Sequence, residues 1–289
     1  MEDMDLSLVK WRCTMKIKTE KKYILSNGSR IKLLVIRPDV PKQAECKPGV
    51  LWIHGGGYIL GMAEMVYISR GIDLVKRYGV TVVSPAYRLS SKAPYPAALM
   101  DCYHALLYMK NHVEELGIRK DQLMVGGESA GGGLAAALCM YAKDKQTVNI
   151  AYQMPLYPMI DNEDTETSRD NHAPVWNTKR NHYGWQQYLK GITDKKISAY
   201  AVPARRKNYE NLPPAYTFVG TAEPFLAETK TYIKNLQNAG IEAEIDIYPN
   251  MFHGFDLLLP FLKISQVAIR RFEKHFEYAI SHYFAEQET

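Results

Sequence analysis

The chain has 289 residues, 46% hydrophobic and 23% charged, the balance of an ordinary globular protein. Its net charge of +5 is spread along the chain, and the densest basic run, Arg205-Arg206-Lys207, reads as a solvated loop, so no nucleic-acid partner is expected. No stretch approaches the roughly 18 apolar residues of a membrane-spanning helix, and the acidic opening Met1 to Leu6 is unlike a secretory signal, so the reading is cytoplasmic without membrane insertion.

Residues 1–20 hold a weak amphipathic stretch around Leu6, Leu8, Val9 and Trp11. The runs Lys22 to Ser26 and Ile31 to Arg37 flank Asn27-Gly28, a hairpin signal because both turn residues tolerate positive φ. Val50 to Ile53 is a short apolar strand ending at a glycine cluster, and residues 66–78 carry helical apolar spacing. Val80 to Ser84 predicts a buried strand, Ala97 to Lys110 a helix, Leu123 to Gly127 a strand and Gly132 to Tyr141 an Ala-rich helix. Strands follow at Ile150 to Met154, Ala215 to Val219 and Ala243 to Tyr248, with helices at about 225–239 and 262–284. The alternation predicts right-handed crossovers and a mainly parallel sheet covered on both faces, the hairpin adding antiparallel strands at one edge. Residues 161–210 break the rhythm. They are polar and aromatic (Trp176, Tyr183, Trp185, Tyr188) and read as an insertion over the active face, although aromatic residues at near-helical spacing more often pack than bind. The four cysteines, Cys13, Cys46, Cys102 and Cys139, lack metal or redox spacing, and the last two fall among apolar helical residues as reduced, buried thiols. No metal and no cofactor are expected.

Four loops carry chemistry. Gly127-Glu128-Ser129-Ala130-Gly131 follows a strand and opens a helix. A serine on so tight a turn adopts strained angles, and the flanking glycines remove side chains that would clash. The competing readings are an N-cap serine and a phosphate-binding loop, but no lysine follows where the latter needs one. His54-Gly55-Gly56-Gly57 follows the strand at Val50 and would bring main-chain N–H groups close to a ligand. In acyl transfer the N–H groups of Gly56, Gly57 and Ala130 would hold an oxyanion, with His54 anchoring the loop. His253 lies just past the last strand, at the carboxyl end where open α/β sheets bind ligands. Glu223, in Gly220-Thr-Ala-Glu-Pro-Phe225, sits past the preceding strand and gives the chain order Ser129, Glu223, His253. Glu228 and the mid-strand Asp246 are rival acids, and Glu223 has the alternative role of capping the helix after Pro224.

With these motifs in order, the sequence resembles the hormone-sensitive-lipase-like family of bacterial carboxylesterases from about Gly49 to Leu259. Further matches are Tyr87-Arg88-Leu89, Pro94-Tyr-Pro-Ala-Ala-Leu99, Leu156-Tyr-Pro-Met-Ile-Asp161, Pro213-Pro214 and Met251-Phe-His-Gly-Phe255. The resemblance implies an α/β-hydrolase fold with a small helical cap, a cofactor-free serine triad and a small ester substrate with a fairly short acyl chain. The chain departs from the family in three places. Glu223-Pro224-Phe225 stands where Asp-Pro-Leu is usual, Ala227 replaces a frequent Asp, and only 53 residues precede His54, which leaves a short cap.

The expectation is a single domain over residues 1–289 with cap elements at about 1–20 and 161–210. It would hydrolyse acetyl to butyryl esters through Ser129, His253 and Glu223 by way of an acyl-enzyme. The alternatives are a small arylamide or acetamide hydrolase and a non-catalytic small-molecule-binding member of the same fold. The last strand, at the sheet edge, offers a pairing surface for a homodimer.

Overall fold

Residues 15–39 and 46–288 are described in a computed structural model. Strands β1 (Ile17–Ser26) and β2 (Ser29–Pro38) pair antiparallel from Ile17 opposite Pro38 to Ser26 opposite Ser29. Asn27 and Gly28 make the turn at φ 47° and 79°, as the hairpin signal predicts. Residues 17–20, expected within a cap element, instead open β1, because the ladder with β2 continues to Ile17. The amphipathic stretch around Leu6 to Trp11 and Cys13 lie outside the described residues.

The remaining strands are β3 (Lys47–Ile53), β4 (Thr81–Pro85), β5 (Ile118–Glu128), β6 (Tyr152–Leu156), β7 (Ala215–Gly220) and β8 (Ala243–Tyr248). They form one sheet in the order β1-β2-β4-β3-β5-β6-β7-β8, antiparallel up to β4 and parallel from there. The continuous apolar runs are explained by burial on both sides. In β3, Leu51 and Ile53 enter one core while Val50 and Trp52 enter the other, as the two-residue period of a strand requires. Helices α1 (Arg70–Tyr78) and α8 (Lys263–His282) cover the second face. Helices α2 (Ala97–Asn111) and α4 (Ala130–Lys145) cover the first, next to α6 (Leu226–Asn238); α3 (Val113–Leu116) and α7 (Phe255–Leu258) are single turns.

Several boundaries differ from the sequence reading: β5 begins at Ile118 rather than Leu123, β6 spans Tyr152–Leu156 rather than 150–154, and two helix starts move. The periodic stretch at 66–78 divides into a 3₁₀ turn, Ala63–Ile68, and α1, because Ser69 turns its hydroxyl oxygen to accept the Gly71 N–H at 3.0 Å and starts a new helix. Helix α4 begins at Ala130 rather than Gly132, since Ser129 itself occupies the N-cap position. Residues 161–210 form no strand; they carry α5 (Thr178–Tyr188), capped by Asn177, and two 3₁₀ turns. In the basic run, Arg205 and Arg206 pair with Asp194 and Asp144. Cys102 and Cys139 are buried in α2 and α4, whereas Cys46 is exposed. Among the described residues no helix is long and apolar enough to cross a membrane.

Candidate active site

The carboxyl ends of β3, β5, β7 and β8 converge, and each delivers one loop. Ser129 follows β5 directly, at φ 59° and ψ −123°, a backbone conformation that non-glycine residues rarely occupy. The turn is possible only because its neighbours lack side chains: a Cβ on Gly127 or Gly131 would overlap the Ile53 carbonyl. The main chain is fixed as well. Ser129 N–H donates to Leu156 O at 3.0 Å, and its carbonyl accepts from Gly133 and Met159 at 2.9 and 3.0 Å.

His253 and Glu223 arrive from the loops after β8 and β7. Ser129 Oγ donates to His253 Nε2 at 2.8 Å, and His253 Nδ1 donates to Glu223 Oε2 at 2.7 Å. All three side chains are buried. Burial pushes the Glu223 carboxyl above the ordinary carboxylate range, and the adjacent imidazole pulls it part of the way back. Phe225 and Tyr157 stand edge-on to the His253 ring, with centroids 5.2 and 5.1 Å away. The rival acids do not reach it. Glu228 accepts the N–H groups of Ile160 and Asp161 at 2.8 and 3.1 Å, and Asp246 accepts from Tyr216 and Arg271.

The glycine loop after β3 packs directly on this turn. A Cβ on Gly55 would stand 3.0 Å from Glu128 O and 3.1 Å from Ser129 Cβ. Gly56 and Gly57 lie at φ 117° and 60°, positive values that favour glycine. Ala130, at the first turn of α4, has an N–H with no intrahelical acceptor. His54 anchors the loop: its Nδ1 contacts Gly55 O at 2.8 Å, its carbonyl accepts from Tyr87 Oη at 3.0 Å, and its ring stacks on Tyr87. Burial lowers the imidazole pKa to about 4, so this histidine stays neutral at ordinary pH.

Beneath the turn lies a buried charge cluster. Glu128 accepts from Trp52 Nε1 at 2.9 Å and from the Arg70 N–H at 3.2 Å. The Arg70 guanidinium faces Asp256 at 3.4 Å, and Asp256 also accepts from Tyr157 Oη at 3.1 Å. Burial, reinforced by the Asp256 charge, raises the Glu128 pKa to about 8.

Residues 50–257 match a family described by the alpha/beta hydrolase fold. The chain belongs to that family. Within the α/β hydrolases its relatives are esterases of the hormone-sensitive-lipase-like branch. It is 30% identical to the esterase LipI of Mycobacterium tuberculosis over 225 residues, covering 75% of this chain and 68% of LipI. It is 25% identical to an ethyl acetate hydrolase of Pseudomonas putida, covering 79% of this chain and 72% of that one. The structure of a bacterial heroin esterase superposes with a TM-score of 0.86 at 30% identity, covering 91% and 84% of the two chains.

Two residues without an assigned role in the sequence reading, Tyr87 and Tyr58, and one of the aromatic residues of the insert, Trp176, contribute to this α/β-hydrolase site. Tyr87, within a matched motif, holds the carbonyl of His54. Tyr58, at φ 63°, donates to Met159 O at 2.7 Å and stacks on Tyr188 of α5. Trp176 lies against Gly57, where a Cβ would overlap its indole. The aromatic insert therefore splits. Trp185 and Tyr188 are packing residues, Tyr183 is exposed, and Trp176 faces the site. Its signal in the sequence was the break in rhythm around it.

Proposed function

We propose that this α/β hydrolase is a serine carboxylesterase acting on short-chain acyl esters through Ser129, His253 and Glu223. The reading rests on one observation above all: a serine in a strained, positive-φ turn hydrogen-bonded through a histidine to a buried carboxylate. Ser129 Oγ attacks the ester carbonyl carbon as His253 Nε2 takes its proton. Negative charge developing on the carbonyl oxygen is met by the N–H groups of Gly56, Gly57 and Ala130, whose positions cost no reorganisation as the charge appears. His253 returns the proton to the leaving alkoxy oxygen, and the acyl group stays on Ser129. A water then gives its proton to His253, attacks the acyl carbon, and releases the acid as Ser129 recovers its hydrogen. Glu223 keeps the Nδ1–H tautomer and stabilises the imidazolium that forms twice in the cycle.

Short acyl groups are favoured by the names of two similar proteins, an ethyl acetate hydrolase and a heroin esterase. The direct test is a fluorophosphonate probe, which should label the wild type and leave Ser129→Ala unlabelled. Equal labelling of both proteins would remove Ser129 as the nucleophile. A nitrophenyl ester series should peak between acetyl and butyryl; a maximum at decanoyl or longer would sink the short-acyl assignment.

A further inference from the structure

Val175 is a β-branched residue held at φ 69°. Trp176 N–H closes back onto Pro174 O at 2.8 Å, a three-residue turn whose positive-φ form is rare and strained. Strain of this kind persists where the surroundings over-determine it. Here the turn presents the Trp176 indole to the site, in the place a Gly57 side chain would fill. The ring centroid is 6.2 Å from that of His253, with the planes tilted by 42°. Helix α5 supports it from behind: a Cβ on Gly184 would stand 3.0 Å from Gly57 O and 3.5 Å from Trp176 Cζ2, so only glycine lets the helix approach the loop this closely. Tyr157 and Phe225 also face His253, but they are 1% and 0% exposed, whereas Trp176 keeps 8% of its surface open.

We propose that Trp176 is a specificity-determining wall for the alcohol half of the ester and that it favours a flat, aromatic alcohol over an alkyl one. The inference rests on the esterase reading above. In that reaction the carbonyl oxygen faces Gly56 and Gly57, and the leaving oxygen must come within hydrogen-bond reach of His253 Nε2. The acyl substituent therefore points away from His253. The group on the leaving oxygen is the one that meets a ring packed on both Gly57 and His253. An aryl group offers that ring a π-face, a contact that ethyl or propyl cannot reproduce.

The test crosses two substrate pairs with three proteins. Phenyl acetate against ethyl acetate varies the alcohol; nitrophenyl butyrate against nitrophenyl acetate varies the acyl group. Each variant is compared with the wild type as a ratio of kcat/KM, which cancels the intrinsic reactivity of the esters. In Trp176→Leu, which keeps much of the volume without the aromatic face, the phenyl-over-ethyl preference should fall about tenfold. Trp176→Phe should restore most of it, and the butyryl-over-acetyl ratio should stay at its wild-type value in both. An acyl ratio that moves while the alcohol ratio stays, or two ratios that both stay, overturns the assignment. A wild type that hydrolyses none of the four esters and takes up no fluorophosphonate overturns the esterase reading itself, and this inference with it.

Discussion

Glutamate at position 223, where the resemblance leads one to expect aspartate, carries its carboxyl one methylene further from the backbone. The 2.7 Å contact between Glu223 Oε2 and His253 Nδ1 is made with the side chain fully buried, so the loop has little freedom to follow a shorter residue. Restoring the aspartate should therefore harm this enzyme. In Glu223→Asp the carboxylate withdraws by about 1.5 Å, the length of one carbon–carbon bond. The imidazole then loses its orienting acceptor, and kcat should fall about a hundredfold with KM little changed, the pattern of an interaction made mainly in the transition state. Glu223→Gln, which keeps the length but loses the charge and the tautomer preference, should fall further, by about 10⁴. Steady-state kinetics on a nitrophenyl acetate decide the matter, and an aspartate variant as active as the wild type would show that the extra methylene positions nothing. Asp246→Asn is the control: paired with Tyr216 and Arg271, away from His253, it should leave kcat unchanged.

At the scale of elements, the proposed mechanism makes the glycine loop after β3 the place where catalysis and packing share the same atoms. Gly57 sits at φ 60° against the Trp176 indole, so a methyl group there is both strained and obstructed. Gly57→Ala should lower kcat/KM by about 10²–10³, the usual loss for one misplaced oxyanion donor. Gly28→Ala, at φ 79° in a hairpin turn with open space around it, should lower the melting temperature and leave kcat/KM unchanged. Equal kinetic losses in the two variants would mean that Gly57 matters only for folding. The loops carrying Ser129, Glu223, His253 and Gly55 to Gly57 were legible because each lies directly past a strand whose apolar run marks its own end. Tyr58 was not, and Trp176 was legible only as one of several aromatic residues in an insertion over the active face. The stack of Tyr58 on Tyr188 and the contact of Trp176 with Gly57 join residues more than a hundred positions apart, and such contacts leave no period in either segment. The division within the insert was hidden for the same reason: Tyr183 and Trp185 are two positions apart on α5, yet one is exposed and the other buried. The split of the helix at Ser69 was more accessible, since a serine before a periodic run is a capping signal.

The molecule as a whole carries an electrostatic cost beneath its nucleophile turn, and that cost sets how its stability should vary with pH. Glu128 and Asp256 are both buried, and Arg70 gives Glu128 its main-chain N–H while its guanidinium faces Asp256 and Asp73. Burial, reinforced by the Asp256 charge, raises the Glu128 pKa from an ordinary 4.5 to about 8. Glu223, Glu228 and Asp256 are raised too, each first by burial. A carboxyl raised on folding stays protonated while its unfolded counterpart ionises. The folded chain therefore holds more protons between the two values, and its stability falls as pH climbs from 4.5 toward 8. His54 works in the opposite sense over a lower range. With its folded pKa lowered from 6.5 to about 4, it removes stability as pH falls through that interval. The two slopes oppose each other between 4.5 and 6.5, and above 6.5 the carboxyl slope acts without that opposition. The melting temperature should accordingly drop between about pH 6 and pH 8.5, Glu128 alone accounting for a few kcal/mol. Asp256→Asn keeps an acceptor for Tyr157 Oη and removes the charge that raises Glu128, so Glu128 can ionise at lower pH and the drop should become shallower. Thermal melts of both proteins across that range provide the check. A wild-type melting temperature that rises with pH, or an asparagine variant with an unchanged slope, would mean that the cluster under Ser129 is not what couples this fold to protons.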